Sequence, residues 1–129
     1  MAELKWSKDL EVGNAVIDHD HEETIDLFNE LIVADEAAFA PMFKLFVDHL
    51  ATHFGHEEEM MIKCNFPAYD PHKSEHERVL GIFTDLAAML DQGKTEDVRT
   101  AVSETVPTWF LEHRATMDQV TSNFIAMAG

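Results

Sequence analysis

Six polar side chains stand where helical periodicity calls for apolar ones: His21, His53, Glu57, His72, His76 and His113. His53 with Glu57, and His72 with His76, are each four residues apart. On a helix that spacing turns the side chain by roughly 40° and advances it by about 6 Å along the axis. Each pair therefore presents two donor atoms to one point beside its helix. Imidazole nitrogen and carboxylate oxygen are donors for divalent transition metals. Burying so many polar groups without partners would cost roughly several kcal/mol apiece, so a hydrogen-bond network or a metal must satisfy them. A lone inward histidine is ordinarily a hydrogen-bonded core residue, and H-x-x-x-H alone is a weak motif. Two donor pairs on separate helices, at similar depth as other inward histidines, favour the metal.

The elements that must position these donors are helices. Glycine and proline are scarce and fall at few places, whereas strands would need more frequent turns. The pattern predicts a non-helical arm over residues 1–17 and a helix over about 18–34, capped by Asp18, with His21, Ile25, Phe28 and Ile32 inward. A second helix spans about 37–63, with Pro41 near its start and an inward stripe of Met42, Phe46, His49/Leu50, His53, Glu57 and Met60/Met61. After a proline-bearing loop, a third helix over about 71–91 buries His72, His76, Val79/Leu80, Phe83, Ala87 and Leu90. The fourth, over about 95–118, opens on Thr95 as a capping-box start. It turns Ala101/Val102, Trp109, His113 and Val120 inward and kinks at Pro107. Residues 119–129 form a C-terminal segment that continues or follows it. Short connections between four such helices imply an all-α, up-down-up-down antiparallel four-helix bundle, one domain over residues 1–129.

Composition narrows the function. The 129 residues carry a formal net charge of −16, with 25 acidic against 9 basic side chains and no basic cluster. That field repels nucleic-acid backbones and anionic lipid, which argues against both as partners. No apolar run is long enough to span a bilayer, and the first residues lack a basic stretch followed by an apolar one. Cys64 is the only cysteine, so no internal disulfide forms, and a reducing, cytoplasmic setting is expected.

Trp6, the stretch Gly13 to His21, His53-x-x-x-Glu57, Tyr69 with His72-x-x-x-His76, and Trp109-x-x-x-His113-x-x-x-x-Asp118 together resemble the bacterial hemerythrin family, over essentially the whole chain. The resemblance implies seven metal ligands: His21, His53, Glu57, His72, His76, His113 and Asp118. Asp118 comes from the resemblance alone. Five residues turn an ideal helix by roughly 140°, which takes Asp118 off the face of His113; a short carboxylate flanking the site from the other side, or a local widening near Pro107, would reconcile this.

Five imidazoles and two carboxylates exceed the needs of one ion. If both carboxylates bridge, the protein makes about nine bonds; a bridging oxo or hydroxo group adds about two, and two six-coordinate ions need about twelve, so one position stays open. By resemblance the ions are iron, Glu57 and Asp118 bridge, His72, His76 and His113 hold the closed iron, and His21 and His53 the open one. Dioxygen, or small ligands such as azide or nitric oxide, would bind there. Ile25, Phe54, Trp109 and Met117 lie within about a turn of ligands and are candidates for a dry pocket wall, with plain core packing as the alternative. The expected function is an oxygen carrier, store or sensor. The rival is a di-iron enzyme on the same site, acting on peroxide or scavenging nitric oxide or oxygen; the imidazole-rich donor set favours binding over oxidation. No protein partner is indicated.

Other polar residues receive plainer readings. His49 is expected to be packed or solvated, His19 and His56 to lie at the surface or just behind the ligands. Asp18 and Asp20 are placed to orient a ligand imidazole, with capping as the alternative for Asp18. Glu58 and Glu59 are read as a solvated face. Arg114, where the family usually has an aliphatic residue, is expected to extend outward.

Overall fold

Asn14 starts the first helix. In the computed structural model, which describes residues 4–128, the Asn14 side chain accepts from the backbone N–H groups of Val16 and Ile17, and α1 runs Ala15–Val33. Asp18, expected as the cap, lies inside the first turn. Its carboxylate instead accepts from the backbone N–H groups of Val12 at 2.7 Å and Gly13 at 3.3 Å, fastening the entering chain to the helix. Gly13 has φ +91°, a conformation that costs a residue without Cβ little. Of the predicted arm, residues 1–3 lie outside the described residues, as does Gly129 of the predicted C-terminal segment. The non-helical part of the arm ends at Asn14, since residues 15–17 belong to α1, and it contains one 3-10 turn, Lys8–Leu10. It is held by reciprocal bonds between the Leu4 backbone and the Asn29 side chain, and by Gln119 and Ser122 side chains donating to the Val12 carbonyl.

Asp35 caps α2, Glu36–Lys63, by accepting from Ala38 N–H at 2.8 Å. Helix α3 is Tyr69–Asp91, with Pro71 in its first turn, where no N–H is required. Both helices end on a left-handed residue. Asn65 (φ +54°) and Phe66 donate back to Ile62 and Met61, and Gly93 (φ +82°) and Lys94 to Leu90 and Met89, satisfying carbonyls that the helix leaves free. Helix α4 is Thr95–His113. Thr95 is its first helical residue, preceded by Lys94 with no side-chain cap, so the predicted capping box does not form. Glu96 and Asp97 in the first turn still complement the positive helix end.

The fourth helix passes Pro107 as α-helix and departs from α geometry only at Arg114–Asp118, a π turn in which Gln119 N–H bonds to Arg114 C=O, five residues back. The Thr116 hydroxyl donates to the Glu112 carbonyl at 2.7 Å within this widening. Helix α5, Gln119–Ala128, follows directly. The extra residue shifts the inward face, which corrects the expected stripe: Val120 is 55 % exposed, while Thr121 and Ser122 are buried in its place.

The result is the four-helix antiparallel bundle, with no strand among the described residues. An aromatic plug of Phe28, Phe39, Phe43, Phe46 and Phe83 fills one end, with Phe46 and Phe83 5.7 Å apart between centroids. Donors lie near the start of α1 and α3 and the end of α2 and α4, the alternation that an up-down order needs to bring them level. No helix among the described residues is long and apolar enough to cross a membrane. Replacing fully buried Phe46 by alanine is expected to destabilise the metal-free protein by about 3–5 kcal/mol, read as a lower urea midpoint; an unchanged midpoint would mean that the plug does not stabilise the bundle.

Candidate metal centre

Glu57 of α2 and Asp118 of the π turn lie side by side with essentially no solvent contact. Their four oxygens divide the histidines into two sets. Glu57 Oε1 faces His72 Nε2 and His76 Nε2, each at 3.2 Å. Asp118 Oδ1 faces His72 Nε2 at 3.1 Å and His113 Nε2 at 3.0 Å. The other two oxygens turn the opposite way: Glu57 Oε2 lies 2.8 Å from His53 Nε2, and Asp118 Oδ2 lies 2.8 Å from His21 Nε2. Two donor groups result, Glu57-His72-His76-His113-Asp118 and His21-His53-Glu57-Asp118, each with its donor atoms within 4.8 Å of one another and every residue buried. All seven residues singled out by resemblance are therefore brought together.

The π turn explains how Asp118 gets there. In an α-helix it would point away from His113; one added residue per turn brings positions five apart onto one face. The widening falls about two to three turns beyond Pro107, where it had been expected.

Three histidines are held from behind through Nδ1, leaving Nε2 free to face the carboxylates. His76 Nδ1 lies 2.9 Å from Glu58, His72 Nδ1 2.8 Å from the Thr121 hydroxyl, and His53 Nδ1 3.2 Å from Asp20. Glu58 is thus half-buried beside the site, which corrects its reading as a solvated face; a carboxylate directly after Glu57 was the available signal. Thr121 had no such signal, because its inward position depends on the π turn. On the inner side, Glu57 Oε1 and Oε2, Asp118 Oδ1 and the Nε2 atoms of His72, His76 and His113 are buried without a hydrogen-bond partner of good geometry. Buried polar atoms are seldom left so, and a cation set between these oxygens and nitrogens would satisfy them all. The residues present fit a pair of metal ions.

Aromatic rings close the surroundings. Phe54 stacks on His76 at 3.9 Å, Trp109 on His113 at 4.7 Å, and Phe110 meets His21 edge-on at 5.1 Å. Of the four pocket candidates, Ile25 and Phe54 are buried, but Phe54 stacks on His76 and Trp109 on His113, both on the three-histidine side, and Met117 lines a recess beside His72. Phe110, three residues before His113 on the same helical face, was missed. His49 is packed, its Nε2 3.0 Å from the Asp20 carbonyl and the Thr24 hydroxyl. Exposed His19 pairs with Glu23, and His56 lies 2.6 Å from Asp20. Arg114 is half-buried in the π turn, with its Nε shielded from solvent.

The electrostatics without metal follow from this geometry. Burial resists charging His53, but the adjacent Glu57 carboxylate and the hydrogen bond to Asp20 outweigh it and raise its pKa to about 10. Burial likewise opposes charge on His72, which Asp118 and Glu57 nevertheless raise to about 9. Burial also disfavours an ionised Asp20, yet bonds to His53 and His56 lower it to about 2. For Glu57, burial and the Asp118 charge oppose ionisation, and His53 and His72 still hold it below the ordinary range; His113, His21 and His72 do the same for buried Asp118.

Residues 12–123 match the family model described as the hemerythrin HHE cation binding domain. A bacteriohemerythrin of Ralstonia nicotianae is 30% identical over 129 residues, covering 100% of this chain and 93% of its own. One of Aquifex aeolicus is 37% identical over 126 residues, covering 92% and 95%. A crystal structure of wild-type hemerythrin superposes with a TM-score of 0.83 at 20% identity, covering 96% of this chain and 98% of that one, a likeness of fold.

Metal and proton compete for the same imidazole nitrogens. With His53 and His72 raised to about 10 and about 9, both are protonated at neutral pH, so loading metal must release protons. Affinity is expected to climb with pH until those values are passed and to fall in acid. Calorimetry in buffers of different ionisation enthalpy reads the release; uptake without it contradicts this site.

Proposed function

The chain belongs to the hemerythrin HHE cation-binding family, and from that premise we propose that its buried cluster holds two non-haem iron ions and binds dioxygen reversibly at one of them. The observation that supports this most is the division of five imidazoles, three against two, across two shared carboxylates. We assign Glu57 and Asp118 as bridges, His72, His76 and His113 to one iron, and His21 and His53 to the other. His72, His76 and His113 with the two carboxylates would hold one ion, and His21 and His53 with the same carboxylates the other; having one imidazole fewer, the second would have room for a small ligand. When bound, the iron pair supplies the two electrons that dioxygen takes up reversibly.

The protein's own part is to position and to exclude. Helices of fixed length hold the donors at one level, so binding needs no rearrangement of the bundle. Glu57 and Asp118 compensate the positive charge of the metals inside a site that water does not reach. Phe110, edge-on to His21, and buried Ile25, one helical turn after it, put hydrocarbon beside the two-histidine side, while Phe54 covers His76; such walls would admit a small apolar molecule and keep bulk water and its protons away. Neutral imidazoles outnumber carboxylates, a balance that favours carriage, storage or sensing over oxidation of a second substrate.

Anaerobically reduced protein with about two irons per chain is expected to develop a charge-transfer absorption on exposure to oxygen and lose it on degassing, through repeated cycles. Rapid irreversible oxidation with turnover of peroxide or nitric oxide would make the protein an enzyme instead. Glu57→Ala, which removes a bridge and leaves its partners unpaired in the core, is expected to abolish paired iron binding, read by elemental analysis; unchanged iron content contradicts the assignment.

A further inference from the structure

Asp20 is the buried carboxylate that the ligand set does not use. It is 6 % exposed, on α1 one residue before His21, and it reaches across to α2. Its Oδ2 lies 3.2 Å from His53 Nδ1 and 2.6 Å from His56 Nδ1. The opposite nitrogen of His53, Nε2, faces Glu57 Oε2 at 2.8 Å. An imidazole that offers Nε2 as a donor must carry its hydrogen on Nδ1, and Asp20 is the acceptor that this hydrogen meets. His56, with a side chain 44 % exposed, stands on the solvent side and fixes the same oxygen from there.

The other imidazole on this side has no counterpart. His21 Nδ1 is buried without a partner among the described residues. On the three-histidine side, His76 is backed by the Glu58 carboxylate and His72 by the neutral Thr121 hydroxyl. Each half thus contains a carboxylate-backed imidazole, and on the two-histidine half it is His53 alone. A carboxylate behind a metal-bound imidazole fixes its ring plane and makes it a stronger electron donor. Stronger donation stabilises the more highly charged ferric ion over the ferrous one.

We propose that Asp20 is a positioning residue that sets the donor strength of the ligand-binding half of the centre through His53, with His56 as its outer clamp, an inference that rests on the di-iron reading above. The specificity consequence is that this iron gives up its electron to a bound diatomic more readily than it would with His53 unsupported.

Asp20→Asn keeps the size and removes the charge. Wild type and variant are loaded with ferrous iron without oxygen, the iron is counted, and the midpoint potential is measured. Both are expected to hold the iron pair, with the variant midpoint higher by about 59 mV, a tenfold shift of a one-electron equilibrium, and with Asp20→Glu restoring the wild-type value. An unchanged midpoint with iron intact overturns the proposal and leaves the di-iron reading standing. Iron loss in Asp20→Asn that Asp20→Glu repairs supports it, since losing such a partner weakens metal binding about 10- to 100-fold; loss that Asp20→Glu does not repair overturns it. Wild-type protein that takes up fewer than two irons removes the di-iron reading itself. Independently of any substitution, the diferrous wild-type protein is expected to show a hyperfine-shifted His53 Nδ1 proton that exchanges slowly with water, and its absence overturns the proposal.

Discussion

Two ionised carboxylates buried against each other repel, and the rest of this structure is arranged around that repulsion. Glu57 and Asp118 are shielded from water, so no solvent weakens their interaction. Only positive charge placed between or around them relieves it. Without metal, protons on His53 and His72 supply that charge. The five imidazoles then stand where either protons or cations can be accommodated, which makes the same geometry a stable metal-free core and a receptive metal site. A bundle with hydrocarbon at these positions would pack more simply. The polar layer is retained at the expense of buried, imperfectly satisfied donors, the kind of departure from local rules that marks a functional site.

Position within the bundle follows from helix direction. His21 and His72 lie early in their helices, His53 and His113 late in theirs, so antiparallel neighbours bring them to one level while the aromatic plug of Phe28, Phe46 and Phe83 holds the far end. The side chains of Asn14 and Asp35 cap the starts of α1 and α2, and backbone bonds at Asn65 and Gly93 close the ends of α2 and α3, none of them involving a metal donor. The arm, fixed at Leu4 and Val12, joins α1, which carries His21, to α5, which directly follows Asp118.

Much of this was readable from residue spacing. The i,i+4 pairs, the apolar stripes of α1 to α3 and the scarcity of turn formers are local signals, and the helices they imply are present. What spacing could not reach was Asp118. Its place depends on the π turn at Arg114–Asp118, and a five-residue interval reads on an ideal helix as a mismatch; only family resemblance pointed to it. The same turn hid Thr121 and made Val120 seem buried. The start of α1 was placed at Asp18 instead of Asn14, and Thr95, where α4 does begin, was read as a capping-box start, because several polar residues near each end are plausible caps; for α1 the contact of Asp18 with the arm decides. Glu58 was passed over because a run of acids resembles a wetted surface until His76 is seen beside it.

The account stands on two inequivalent centres joined by shared carboxylates. Mössbauer spectroscopy of the iron-loaded protein in its ligand-bound state tests that most directly. It should resolve two iron environments of equal area, antiferromagnetically coupled through the bridges. A single uncoupled high-spin signal, from one ion using the protein's donors alone, would contradict it.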